Sequence, residues 1–284
     1  YPERVSGWWD PAVGGSMLVA AVGLYLPIAF FGQGWTRARL FGVLGFLISI
    51  TGLIATGTRG AWIAGIGLLI ASGVIGIVVR RWSRKTVVVG SVIALVVVVI
   101  GGAVAWNVQG VSDRVNNAQE ELALAMEGNY LTSMGVRVSL AGQAIGAGAS
   151  HPLGGLGAGG FGDWMRERTP DQLDNHSHPH SSVLRLFAEQ GIPGVLIGVL
   201  LVVVLLTASW RCVESDDRGT LLMGPFYAIL GVVLVSAFDS VLLNANTSAL
   251  IGALAALSPS YLPMRGSARR VGSDLESTRD SALN

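Results

Sequence analysis

Seven runs of about twenty apolar residues divide this 284-residue chain, at roughly 13–31, 39–56, 61–79, 86–106, 191–209, 221–238 and 245–262. Each is long enough to cross the ~30 Å hydrocarbon layer of a bilayer as a helix. Inside lipid the backbone must satisfy its own hydrogen bonds, so runs of this length have the helix as their solution. The seventh run is the least apolar, with Asn244, Asn246 and Thr247 at its start. Pro27 and Pro225 lie within or near the start of their runs, where neighbouring helices accommodate the lost bond. Charged residues make up 13% of the chain, against about 25% in soluble domains. The expected fold is all-α: a polytopic membrane helix bundle of about seven transmembrane helices with one long external helical loop.

The basic residues set the orientation. Arg37 and Arg39 follow the first run, Arg80, Arg81, Arg84 and Lys85 the third, Arg211 and Arg218 the fifth, and Arg265, Arg269 and Arg270 the seventh. Basic residues gather in alternate connections, as the positive-inside rule requires of the cytoplasmic side. Residues 1–12, 57–60, 107–190 and 239–244 then face outward. The chain divides into four spans with an outer N-terminus (1–106), an external loop with short helices (107–190), three further spans (191–262) and a polar cytoplasmic tail expected to be disordered (263–284). An 84-residue loop is too long to be a connector. Helices are expected at Val115–Met126 and Val136–Ala147, followed by a glycine-rich bend, Gly154–Gly162.

The first residues, from Tyr1, lack the basic start and apolar core of a signal peptide, and the expectation is that the chain is the C-terminal part of a longer protein. A net charge of +1 argues against nucleic acid as a partner. A single cysteine, Cys212, excludes an internal disulfide framework.

Side chains able to do chemistry lie on the outer side. All four histidines, His151, His176, His178 and His180, fall within thirty positions, and histidine exchanges protons near neutral pH. His176, His178 and His180 alternate, and Pro179 favours an extended backbone on which alternate side chains point the same way. They could form a metal site, although Asp163, Asp171 and Asp174 have no compact ligand spacing with them. Alternatively one histidine, just before the helical pattern from Ser182, acts as a general base. Arg59, in a turn between two spans, is either an interfacial arginine reaching headgroups or an anion site, because guanidinium binds phosphate bidentately and keeps its charge. Arg4 and Arg137 share its side, and the three together could bind one diphosphate. Arg114, Arg166 and Arg168 are also outside, with nothing local to distinguish them. The run Gly155–Gly160 lacks the βαβ context of a nucleotide-binding loop, leaving a tight bend close to substrate or a hinge. Glu189 either orients a partner or ends a short helix before Gly191, and Asp239 presents the same alternatives.

Several segments together resemble the O-antigen ligase and O-antigen polymerase family of bacterial membrane glycosyltransferases. They are Thr58-Arg-Gly-Ala61 opening a span, Arg137, His151-Pro-Leu-Gly-Gly-Leu-Gly-Ala-Gly-Gly-Phe161, and His180-Ser-Ser-Val-Leu-Arg-Leu-Phe-Ala-Glu-Gln-Gly-Ile-Pro-Gly194. Arg4-Val-Ser-Gly7 with Asp10-Pro11 adds a further likeness. The resemblance covers most of residues 1–262, and its spacing selects His180 among the histidines. Ser181 and Asp10 each stand where the family has asparagine. The resemblance implies metal-independent, inverting transfer of a glycan from a polyprenyl diphosphate to an acceptor hydroxyl on a glycan, lipid or protein. The reaction would lie on the outer face of the bacterial cytoplasmic membrane, among membrane lipids. It implies His180 and Arg59 as catalytic residues, Arg4, Arg59 and Arg137 on the diphosphate, and Glu189 in support. No cofactor and no metal is expected. A ligase is the leading reading, with a polymerase joining lipid-linked repeats as the alternative. From another class, a transporter or channel with a pH- or metal-sensing histidine loop would need ionisable residues near the bilayer midplane, and the runs have none there.

Overall fold

The structure is a computed structural model and describes residues 10–31, 36–78, 117, 120–128, 130, 132–168, 178–214 and 219–256. Among the described residues all regular structure is helical, as expected. The helices are α1 (Pro11–Phe30), α2 (Arg37–Ala55), α3 (Arg59–Val78), α4 (Ser133–Ser150), α5 (Gly160–Arg168), α6 (Ser182–Glu214), α7 (Gly219–Ser236) and α8 (Ala245–Ala256), with a 3-10 turn at Val241–Leu243. Four helices, α1, α2, α3 and α6, are long and apolar enough to cross a membrane. The helix α8 is a shorter apolar segment of twelve residues. The expected span 86–106, the tail 263–284, Arg4 and His176 lie outside the described residues.

Local chemistry explains where these helices begin. The Asp10 carboxylate accepts the Ala12 N–H at 2.8 Å and Pro11 occupies the first helical position, where its missing N–H costs nothing. Thr36 caps α2 through Arg39 N–H (3.2 Å) and Thr132 caps α4 through Gly135 N–H (3.0 Å). Ser181 caps α6, accepting the Leu184 N–H at 3.4 Å. Both positions that depart from the asparagine of the resembled family, Asp10 and Ser181, are thus N-caps, and Asn, Asp and Ser serve that position about equally. The departures preserve local hydrogen bonding.

The helix α1 is central, packed against α2, α3 and α7 around Val19, Val22, Leu26, Phe46, Leu68 and Tyr227. Small residues permit the close approach, as between helices in lipid, where no hydrophobic force separates helix from solvent and contact depends on fit. A Cβ on Gly23 would stand 2.5 Å from the Tyr227 carbonyl carbon and the Ala228 nitrogen of α7. The outward faces carry bare aliphatic groups such as Ile48, 71% exposed, and Ile197, 66% exposed, an arrangement suited to lipid rather than water.

A second, smaller core forms between α4, α5 and the start of α6. Leu140, Ala144 and Ala147 of α4 enclose Phe161 and Met165 of α5 against Ala188 of α6. The helix α5 has no counterpart in the sequence expectations. Its signal is the pair Phe161 and Met165, four apart and both fully buried, which would lie on one helix face.

The helix α6 breaks at Gly191, where φ is 67° and ψ −160°, a conformation open to glycine. The first part, Ser182–Gln190, ends where the sequence placed a break. The glycine bend docks on that break: Leu156 N–H donates to Ala188 O and Gly157 N–H to Glu189 O (both 2.9 Å), while Ile192 N–H donates to Pro152 O at 2.8 Å. The bend therefore satisfies carbonyls that the interrupted helix leaves open. None of its glycines lines the cleft described below, so its close backbone approach is to helix α6 rather than to a substrate.

Two substitutions test this packing. Gly23→Ala should cost about 1–3 kcal/mol by overpacking and lower the melting temperature in detergent, while Gly14→Ala, with open space at its Cβ, should leave it nearly unchanged. Gly155→Ala meets the Gln190 nitrogen at 2.3 Å and a φ of 63°. It should open residues 152–160 to limited proteolysis, whereas Gly154→Ala, with nothing within 4 Å, should stay protected.

Candidate active site

A cleft of about 1050 Å³ opens where the first turns of α1, α3, α4 and α6 meet the turn after α7. Its wall carries Arg59, Arg137, Arg185, His178, His180, Asp239, Glu121 and Asp10. Residues more than two hundred positions apart thus share one space, and short polar contacts hold them there. Thr58 Oγ1 donates to Pro11 O at 3.1 Å, tying α3 to α1. Gly60 lets α3 approach the turn after α7, since a Cβ there would stand 2.8 Å from Phe238 Cβ. Ser182 Oγ, fully buried, donates to Asp239 O and accepts from Leu242 N–H, both at 3.2 Å. One hydroxyl therefore clasps the start of α6 to the turn after α7.

That clasp sets His180 against Asp239, with Nδ1 3.6 Å from Oδ1. His180 has a φ of 48°, the left-handed region that a non-glycine residue occupies at a cost. The extended backbone expected through this segment therefore stops at Pro179, yet the rings of His178 and His180 still meet, with centroids 4.8 Å apart. Asp239 is buried, 8% exposed. Burial pushes its pKa up, but the facing His180 imidazole, the Ser240 N–H at 2.8 Å and the Arg137 charge outweigh it and hold the carboxyl below its ordinary range. Asp239 is consequently ionised at neutral pH, and the stability this adds is lost only as pH falls through the lowered pKa.

The arginines are held differently. Arg59 forms a two-pronged pair with Glu121, at 3.0 and 3.2 Å, and Glu121 also accepts the Met134 N–H at 3.2 Å in the first turn of α4. Arg137 donates to Phe238 O at 3.4 Å. Glu189 is buried and does not line the cleft; it accepts Arg185 Nε at 3.1 Å. Its place in the structure is to hold Arg185, which does line the cleft. The structure thus brings Arg59, Arg137 and His180 onto one wall and puts Glu189 one contact behind it. His151 lies elsewhere, exposed at the end of α4, with Nδ1 3.1 Å from Ser150 Oγ.

Sequence reasoning passed over Glu121 and Arg185 and left Asp239 undecided. Arg185 and Glu189 carried a signal, opposite charges four apart on an otherwise apolar helix. Glu121 and Asp239 depend on contacts across 62 and 59 positions, which no local pattern records. Among the described residues one group could hold a metal ion: His178, His180 and Asp239.

Over 190 residues the chain is 22% identical to an uncharacterized protein of Haemophilus influenzae, a match covering 65% of this chain and 47% of that one. The chain spans about half the length of that curated relative. Residues 44–199, more than half of the chain, match the O-antigen ligase family and include Arg59, Arg137 and His180. With its apolar spans and polar cleft, this chain belongs to the O-antigen ligase family of multi-pass membrane proteins.

Proposed function

We propose that the cleft transfers a glycan from a polyprenyl diphosphate to an acceptor hydroxyl, as a ligase working on the outer face of the bacterial cytoplasmic membrane. The observation that carries this reading is the His180–Asp239 pair on the same wall as Arg59 and Arg137. Asp239 accepts a proton on Nδ1 of neutral His180 and so leaves Nε2 as the lone pair, the arrangement a general base needs. Nε2 takes the acceptor hydroxyl's proton as its oxygen attacks the anomeric carbon. The bond from that carbon to the diphosphate breaks with its electron pair on the diphosphate oxygen. Attack from the face opposite the leaving group inverts the anomeric centre.

The leaving diphosphate gains charge as the bond breaks. Arg59 and Arg137, with Arg4 from the segment before α1, supply permanent positive charge at that point, in the place where a metal would serve elsewhere. Arg59 is now held by Glu121, and the diphosphate competes with that carboxylate for the same two-pronged donor. Glu189 fixes Arg185, the further cation of the wall. Beyond Arg59 of α3, the first turn of α2 and the Arg185–Glu189 pair ahead of the Gly191 break in α6, the described spans carry no charged side chain, which supports transfer at the surface over transport through the bilayer.

In membranes carrying the full-length protein, His180→Ala should lower glycan transfer about 10²- to 10⁴-fold without loss of the protein from the membrane. Asp239→Asn, which removes the charge but keeps the size, should lower it by up to about 10⁴-fold, since it favours the wrong tautomer of the base. Arg59→Ala should abolish transfer and Arg59→Lys should restore little of it, because a point charge does not replace the fork. Normal rates in both alanine variants would refute the assignment. The glycan that accumulates in the His180→Ala strain separates the reactions. Unligated lipid-linked polymer marks a ligase, and single lipid-linked repeats mark a polymerase.

A further inference from the structure

We propose that His178, His180 and Asp239 form a binding site for a divalent transition metal of the zinc class, and that an ion held there switches the enzyme off. The proposal rests on His180 being the base.

The donor set fits. Two imidazoles and a carboxylate suit zinc and its neighbours rather than magnesium or calcium, which take oxygen ligands. Tetrahedral zinc with bonds of about 2.0–2.1 Å sets its ligand atoms about 3.4 Å apart. His180 Nδ1 and Asp239 Oδ1 already stand 3.6 Å apart, and the ligand atoms of all three residues lie within 4.8 Å of one another. Drawing the His178 ring in by roughly an ångström completes three positions of a tetrahedron.

The frame around these groups is also set. Pro179 restricts the backbone between the two histidines, and the Ser240 N–H holds Asp239 Oδ1 at 2.8 Å, the kind of outer contact that orients a ligand carboxylate. Ser240 Oγ is buried on the same wall with no hydrogen-bond partner among the described residues. It leaves a polar group beside the site for a water on the metal's fourth position. Three protein ligands and one open position, with the Arg137 charge close by, describe a reversible site rather than a structural one.

Inhibition follows from the imidazole tautomers. Catalysis needs the proton on Nδ1 and the lone pair on Nε2. A metal on Nδ1 takes that lone pair and displaces the proton, and a neutral ring then carries its hydrogen on Nε2. No net proton is released, but Nε2 has nothing with which to accept the acceptor hydroxyl's proton. The ion also removes Asp239 from Nδ1.

The test uses the full-length protein in membrane vesicles, measuring glycan transfer against free Zn²⁺, with Mg²⁺ as control and a chelator to reverse. Zn²⁺ should inhibit, Mg²⁺ should not, and chelation should restore the rate. His178→Ala should transfer at close to the normal rate while needing more than about 100-fold more Zn²⁺ for half inhibition, beyond the roughly 10- to 100-fold that loss of an outer contact alone would cause. Equal zinc sensitivity in the His178→Ala variant, or none in the unaltered protein, would overturn the proposal. A second readout needs no turnover: Co²⁺ added to the purified protein in detergent should give the visible absorption of a tetrahedral site, lost in His178→Ala and in His180→Ala. If that signal is absent while His180→Ala remains inactive, the metal site fails and the base stands. If the signal is present while His180→Ala transfers normally, the base assignment fails, and with it the inhibition.

Discussion

Hydrocarbon tolerates no unpaired backbone group and charges a heavy penalty for an ion. This constraint organises the molecule. Past the Gly191 break in α6 and the first turns of α2 and α3, the described spans are apolar, and the ionisable groups of the cleft stand near the starts of α1, α3, α4 and α6, at Glu121 and in the turn after α7. Chemistry that cannot lie along a span must be assembled across several, at the level where helices start and stop. The bundle below serves as a frame that brings those ends together, and α1, with its backbone pressed against α7 at Gly23, is its centre.

The assembly at the cleft hangs on few contacts. Ser182 joins α6 to the turn after α7 with a single hydroxyl, bonded both ways. Without that join the segment holding His180 would have no fixed relation to Asp239. The left-handed backbone of His180 has a cost on the order of 1–3 kcal/mol, and it persists because the cap by Ser181 and the clasp by Ser182 follow immediately. Behind them, Glu189 holds Arg185 and the glycine bend closes the end of the same short helix. These contacts give rigidity to the proposed base rather than touching a substrate.

Much of this was legible in the chain. Long apolar runs declare helices whatever their neighbours are, so α1, α2, α3 and the second part of α6 could be read directly, as could the helix around Val136–Ala147. Position beside a cap and a span made His180 and Arg59 conspicuous. What could not be read were pairings over distance: Arg59 with Glu121, His180 with Asp239. The partner of the glycine run could not be read from the sequence for a physical reason. Glycine permits close approach to anything, and composition does not tell whether the neighbour is a ligand or the protein's own helix.

The placement of helix starts has an electrostatic consequence of its own. Among the described residues, α1, α3, α4 and α6 begin on the wall of the cleft and α8 begins beside it after Asn244, while α2 and α7 end beside it. Each N-terminus carries roughly half a positive charge and each C-terminus the opposite. The excess of starts over ends leaves the backbone itself with a net positive field directed into the cleft. That field comes from peptide dipoles and would remain if any one arginine were replaced. An anion arriving here meets a surface made attractive by the direction in which the chain enters the membrane.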